Sequence, residues 1–167
     1  MIIFADGSDL LEYLAETSDP MIAADDRDMS RQNLARWMAR HCQARDCDAV
    51  VVFDDQRPNE VLPPTEYFGR AVVINVPHGG NAFTEIAGPA NRRAVEEKTL
   101  VVTGEPRLIE ALRRGKATVQ RPAEFMRSAR KLMRVDDEDS AHEPDEKYTG
   151  LTDQEVDFWV EYFSDED

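Results

Sequence analysis

With 167 residues, 41% of them hydrophobic and 8% aromatic, the chain can build one domain with a real core plus an appendage, not two comfortable domains. No apolar run approaches the roughly 18 residues that span a bilayer, and the start, Met1-Ile2-Ile3-Phe4-Ala5-Asp6, has neither the basic stretch nor the length of a signal peptide, so no membrane association and a cytoplasmic location are expected. The formal charge of -14 is hostile to nucleic acid as a sum, so its distribution along the chain decides.

Ile2-Ile3-Phe4-Ala5 is a short apolar run closed by Asp6-Gly7-Ser8-Asp9, which predicts a buried strand, a tight turn and a helix cap, with a helix over 10–16. Ser30 can cap a second helix whose Leu34, Trp37, Met38 and His41 share one face, with Trp37 in the core and His41 half-buried. Cys42 and Cys47 have no second pair to complete a zinc site and are expected to be reduced structural thiols. Ala49-Val50-Val51-Val52-Phe53 is uniformly apolar, as in a parallel strand covered on both faces, and ends in Asp54-Asp55. Residues 56–69 carry three prolines and predict an irregular excursion. A third strand over 71–76 is closed by Pro77-His78-Gly79-Gly80; helix follows over 81–87, is interrupted at Gly88-Pro89 and resumes over 90–98. Leu100-Val101-Val102-Thr103 is a fourth strand ended by Gly104-Glu105, with Pro106 at a good first helical position. A helix over 106–114, a strand over 117–120 and a helix over 122–134 complete the domain, and this alternation predicts a mostly parallel sheet with helices on both sides.

Residues 135–150 have no apolar periodicity and predict an acidic, solvated linker. In residues 151–167, Thr152-Asp153-Gln154-Glu155 is a capping box, and Val156, Trp159, Val160 and Phe163 form one stripe of an amphipathic helix expected to dock on its own domain or a protein partner. Residues 135–167 hold 14 acids and one base, while 1–91 hold 15 acids and 7 bases and 92–134 hold 5 acids and 12 bases. One end of the domain is therefore basic, and Arg92, Arg93, Arg113, Arg114, Lys116, Arg130 and Lys131 are candidates for phosphate contact. The acidic tail offers itself as a competitor for that face.

In an open α/β sheet ligands bind outside the carboxyl ends of the strands, where Asp6, Asp54, Asp55 and Glu105 are all expected to land. Carboxylates gathered so closely repel, and a hard divalent cation is the usual reason to tolerate it. Taken singly, each acid reads better as a turn, cap or loop residue; taken together they point to a site.

Four stretches carry a likeness to a known family. Ile2-Ile3-Phe4-Ala5-Asp6-Gly7-Ser8-Asp9 resembles the strand ending in Asp-Gly-x-Asn of the NYN domains, in the PIN-like nuclease superfamily and its YacP-type branch; Val51-Val52-Phe53-Asp54 resembles the second acidic strand end. Asn81-Ala82-Phe83-Thr84-Glu85 stands in the place of an Asp-x-x-x-Glu helix start, and Val102-Thr103-Gly104-Glu105 in that of a Thr-Ser-Asp strand end. The likeness covers about residues 1–134 and implies a Rossmann-like three-layer PIN/NYN fold. It further implies a ribonuclease dependent on Mg²⁺ or Mn²⁺ and acting on RNA, with the metal held by Asp6, Asp54 and Glu105, Asp9 and Asn81 adjusting the metal's surroundings, and Glu85 orienting the attacking water. Asp9, Asn81 and Glu105 each depart from the family residue, and Asn81 brings no charge, which leaves a catalytically degenerate RNA- or protein-binding module as the alternative. A phosphoacceptor receiver domain is a poor match, since no paired acid follows the first strand directly and Arg121 stands where a lysine is needed.

Overall fold

The computed structural model describes residues 1–140, with side chains placed through Met133. The backbone runs β1 (Ile2–Asp6), α1 (Gly7–Glu16), α2 (Arg27–Arg45), β2 (Asp48–Phe53), β3 (Thr65–Phe68), β4 (Ala71–Asn75), α3 (Ala82–Glu96), β5 (Thr99–Val102), α4 (Pro106–Leu112), β6 (Thr118–Gln120) and α5 (Pro122–Ser140). The six strands lie in the order β3-β4-β2-β1-β5-β6, all parallel except for β3, which pairs antiparallel with β4 at the edge. This is the expected α/β, Rossmann-like three-layer architecture.

The alternation along β1 sets the two cores. Ile3 and Ala5 join Leu10, Leu14, Leu34, Met38, Val51 and Phe125 under α1, α2 and α5, whereas Ile2 and Phe4 join Val52, Ile86, Leu108 and Leu112 under α3 and α4. A strand covered on both faces must be apolar at every position, and β1 is buried throughout. Trp37 is in the core, stacked on His41 with ring centroids 5.6 Å apart. His41 is 4% exposed rather than half-buried, because Phe125 closes over it edge-on from α5.

Several boundaries differ from the sequence reading for identifiable reasons. No turn separates β1 from α1: Asp6 is itself the helix cap, its carboxylate accepting from the Asp9 amide at 3.1 Å, and the helix starts at Gly7. Similarly, α2 starts three residues before Ser30, capped by Asp26, while Ser30 Oγ instead binds back to the preceding loop at Ala23. The 56–69 excursion is not wholly irregular, since β3 closes the sheet edge there. Helix α3 is continuous through Pro89, held by the buried stripe Ala82, Ile86, Ala90 and Ala94; that packing outweighs the one backbone hydrogen bond a proline removes. Finally, α5 extends to Ser140, six residues past its expected end.

The chain divides into a compact unit of residues Met1–Met133 and a second of Arg134–Asp167. The capping box at 152–155 and the Trp159 stripe lie outside the described residues, as does most of the 135–150 segment. Among the described residues no helix is long and apolar enough to cross a membrane.

Candidate active site

Three adjacent central strands, β2, β1 and β5, run parallel and in register, so their last residues emerge side by side. Asp6 ends β1, Asp54 follows β2 and Glu105 follows β5 after Thr103 and Gly104. Asp9 joins them from the first turn of α1, which begins directly behind β1. That immediate start requires Gly7, because a Cβ there would lie 2.5 Å from the Phe53 ring and 2.9 Å from the Val52 carbonyl.

A network of hydrogen bonds locks the strand ends to one another. Thr103, fully buried, donates its hydroxyl to Asp9 Oδ2 at 2.9 Å and accepts from the Glu105 amide at 3.0 Å, while the Gly104 amide donates to the same Asp9 oxygen at 2.6 Å. Ser8 Oγ accepts from the Asp54 amide at 3.2 Å, tying β2 to α1. Asp54 Oδ2 in turn accepts from the Ala82 amide at 2.8 Å, which sets its charge at the positive N-terminal end of α3.

Electrostatics place four of the predicted acids in one environment. Asp6 is 4% exposed, and its carboxyl is pushed up to about 7, first by burial and then by the neighbouring charge of Asp9, with smaller contributions from Asp54 and Glu105; the Asp9 amide pulls the other way. Asp55 has a different fate. Burial pushes its carboxyl up, but hydrogen bonds from Arg31 and Arg27 overcome this and hold it below the usual carboxylate range. It is therefore a structural counterion beside the site, not one of the converging acids. Asn81 caps α3, its carbonyl oxygen accepting from the Thr84 amide and hydroxyl at 3.1 Å, and Glu85 is half-buried one turn on, making no hydrogen bond or ion pair to the four acids.

Asp9 sits between two open clefts. One, of about 830 Å³, is lined by Ser8, Glu12, Arg27, Asp55 and Arg57 among others; the second, of about 400 Å³, by Tyr13, Gly104, Glu105 and Pro122. Among the described residues no group of three or more His, Cys, Asp or Glu side chains is arranged to hold a metal ion. Asp6, Asp9 and Asp54 each turn one oxygen to a backbone amide.

The predicted basic residues lie elsewhere. Helices after parallel strands run back along the sheet, so Arg92 and Arg93, towards the end of α3, and Arg113, Arg114 and Lys116, between α4 and β6, are at the N-terminal edge. Arg130 on α5 is paired with the buried Asp19, and Lys131 is exposed. Cations that follow strand ends at the acidic edge include Arg57 in the larger cleft, Arg107, over the Phe83 ring at 5.8 Å, and Arg121, exposed just before α5. Arg107 is absent from the sequence-based candidates, although its position shortly after β5 is a usable signal.

No family model and no curated protein matches the sequence. Solved structures do: Rae1 (YacP) from Bacillus subtilis superposes with a TM-score of 0.64 at 17% identity, covering 98% of this chain and 91% of that one. A single-substitution mutant of the same Bacillus subtilis protein superposes with a TM-score of 0.61 at 19% identity, covering 80% and 77%. At such identity the likeness speaks for architecture alone: this chain shares the Rossmann-like α/β fold of that Bacillus subtilis protein.

Proposed function

We propose that the protein is a divalent-metal-dependent ribonuclease, hydrolysing RNA phosphodiesters or processing RNA at the acidic edge of its sheet. The observation that carries the reading is the gathering of Asp9, Asp54 and Glu105 around the buried Asp6, whose carboxyl burial first and the neighbouring acids second push up to about 7. Such crowding costs stability, and buried like charges of this kind concentrate at functional sites.

The donor set suits Mg²⁺ or Mn²⁺. Asp6 Oδ2, Asp9 Oδ1, Asp54 Oδ1 and the Glu105 carboxylate take no part in the hydrogen bonds that lock the strand ends, and Mg²⁺ is commonly held by one or two carboxylates with the rest of its shell water. When bound, the ion would supply charge neutralisation and a more acidic water. Asp6, Asp54 and Glu105 would hold it. Thr103 and Gly104 fix Asp9, Ser8 fixes the Asp54 backbone, and the flanking clefts offer an extended strand a path across Asp9. Glu85 is the candidate for orienting water from α3. RNA is the substrate class that the resemblance of the strand-end motifs to the YacP-type branch implies.

Cleavage of single-stranded and structured RNA with Mn²⁺ tests this reading. Cutting that disappears in Asp6→Asn supports it, and intact RNA under all conditions sinks it. A second reading, a binding module without chemistry, draws on Asn81, which commits its carbonyl oxygen to the helix cap. Calorimetric titration separates the two, because a degenerate site takes up no Mn²⁺ at millimolar concentration.

A further inference from the structure

We propose that the N-terminal edge of the sheet, opposite the acidic cluster, is a separate contact for the sugar-phosphate backbone of RNA; its biological sense, though not its chemistry, rests on the ribonuclease reading. Three segments build this edge. Lys98 lies between α3 and β5, where its carbonyl accepts from the Ile2 amide at 3.0 Å at the very start of β1. Residues 113–116 turn from α4 into β6, and Arg92 and Arg93 approach the end of α3.

These segments are neighbours. Asn91 packs its side-chain oxygen into the space a Cβ on Gly115 would fill, so the Arg113-Arg114-Gly115-Lys116 turn sits directly against α3 beside Arg92 and Arg93. Arg93 and Arg113 are partly neutralised by Glu96, Glu97 and Glu110. Lys98, Arg114 and Lys116 are exposed and have no ion pair among the described residues. Their charges are compact, uncompensated and borne on flexible stems, which suits a row of phosphates. An acidic protein surface would be a weaker fit, because residues 92–98 and 113–116 include no aromatic side chain to anchor it.

The two edges cannot serve the same few nucleotides. Five residues of β1 separate them, about 17 Å at roughly 3.3 Å per residue, and a stacked strand advancing roughly 3.4 Å per nucleotide needs about five nucleotides to cover that. The basic edge therefore discriminates by length.

The test uses full-length Asp6→Asn protein in EDTA, which cannot cleave by the proposed route, and fluorescent single-stranded RNAs of about 4 and about 30 nucleotides. Adding Lys98→Gln, Arg114→Gln and Lys116→Gln should weaken binding of the long RNA about tenfold or more at low salt and lower the log-log salt slope by about 2, with a smaller loss for the short RNA, which offers fewer phosphates. A control triple, Arg36→Gln, Arg40→Gln and Arg127→Gln, removes the same charge elsewhere. Unchanged binding, equal losses for both RNA lengths, an equal loss in the control, or a larger loss of polyglutamate than of RNA binding each overturns the proposal. Long RNA bound through this edge by a protein that never cuts would sink the nuclease reading and leave the contact standing.

Discussion

The two edges of the sheet carry opposite charge by opposite means. At the C-terminal edge the acids are placed by backbone: Asp6 and Asp54 end strands, Asp9 and Glu105 begin helices, and each sits where hydrogen bonds or burial restrict it. At the N-terminal edge the bases stand exposed on helix ends and turns. Helix C-termini also welcome cations, whereas the acidic edge gathers like charges at short range. The contrast separates a region held against its own repulsion from one that settles without cost, and tension of the first kind is what a catalytic site leaves in a fold.

The largest expected effect breaks this contrast at its centre. Asp6→Asn should abolish Mn²⁺-dependent RNA cleavage, by more than about a hundredfold, the scale for losing a group that acts in the chemistry. It should also stabilise the protein at neutral pH. The folded carboxyl titrates near 7 and the unfolded one near 3.8, so between those values the native state holds a proton that the unfolded chain has released. Stability of the parent therefore falls as pH rises across that window, by at most roughly 1.4 kcal/mol per unit. In EDTA, the advantage of Asp6→Asn measured by urea unfolding should be absent near pH 4, grow to pH 7 and level off above it. A constant difference across pH would show that Asp6 is not under strain.

Next in size is Gly7→Ala. The methyl group meets the Phe53 ring and the Val52 carbonyl, and a backbone atom cannot step aside, so a loss of about 3 kcal/mol is expected. Thermal unfolding within a degree of the parent would mean that α1 can slide away from β2. Asp55→Ala comes third. It strips Arg31, 6% exposed, of its 2.7 Å partner and leaves it the longer contacts to Asp28 at 3.5 Å and Glu60 at 3.9 Å. Uncompensated buried charges cost roughly 3–5 kcal/mol, and the 27% exposure of Asp55 reduces the expectation to about 2. Unchanged stability with intact metal binding would show that the Arg27–Asp55–Arg31 group is ornamental.

Much of this was legible beforehand, and unevenly. The largely apolar runs at 2–5, 49–53, 71–76 and 100–103 indicate a sheet covered on both sides, and the acids closing three of them indicate the edge where they meet. Aspartates following parallel strands need no side-chain detail to be placed together. Asp55 was misjudged with its neighbour because adjacent residues after a strand turn opposite ways, and its arginines come from 24 and 28 residues earlier in the chain. The strand at 65–68 was hidden by the prolines preceding it, since an exposed edge strand lacks the double-faced apolar signature. The basic residues were found by counting charges along the chain, which says nothing of direction; only the return of α3 and α4 along the sheet sends them to the far edge.

The smallest expected effect completes the contrast. Lys98→Gln, Arg114→Gln and Lys116→Gln combined should shift unfolding free energy by no more than about 0.5 kcal/mol per site, the range of surface substitutions that touch no buried group. The same triple should leave the Asp6→Asn pH profile unaltered, because screening at about 8–10 Å in physiological salt removes exposed charges on one edge from the field at the other. Differential scanning fluorimetry and the urea series check both points. If the triple destabilised the fold, or if it changed the neutral-pH advantage of Asp6→Asn, the bases would be supporting the acids across the sheet, and the two edges would form one electrostatic system instead of two independent ones.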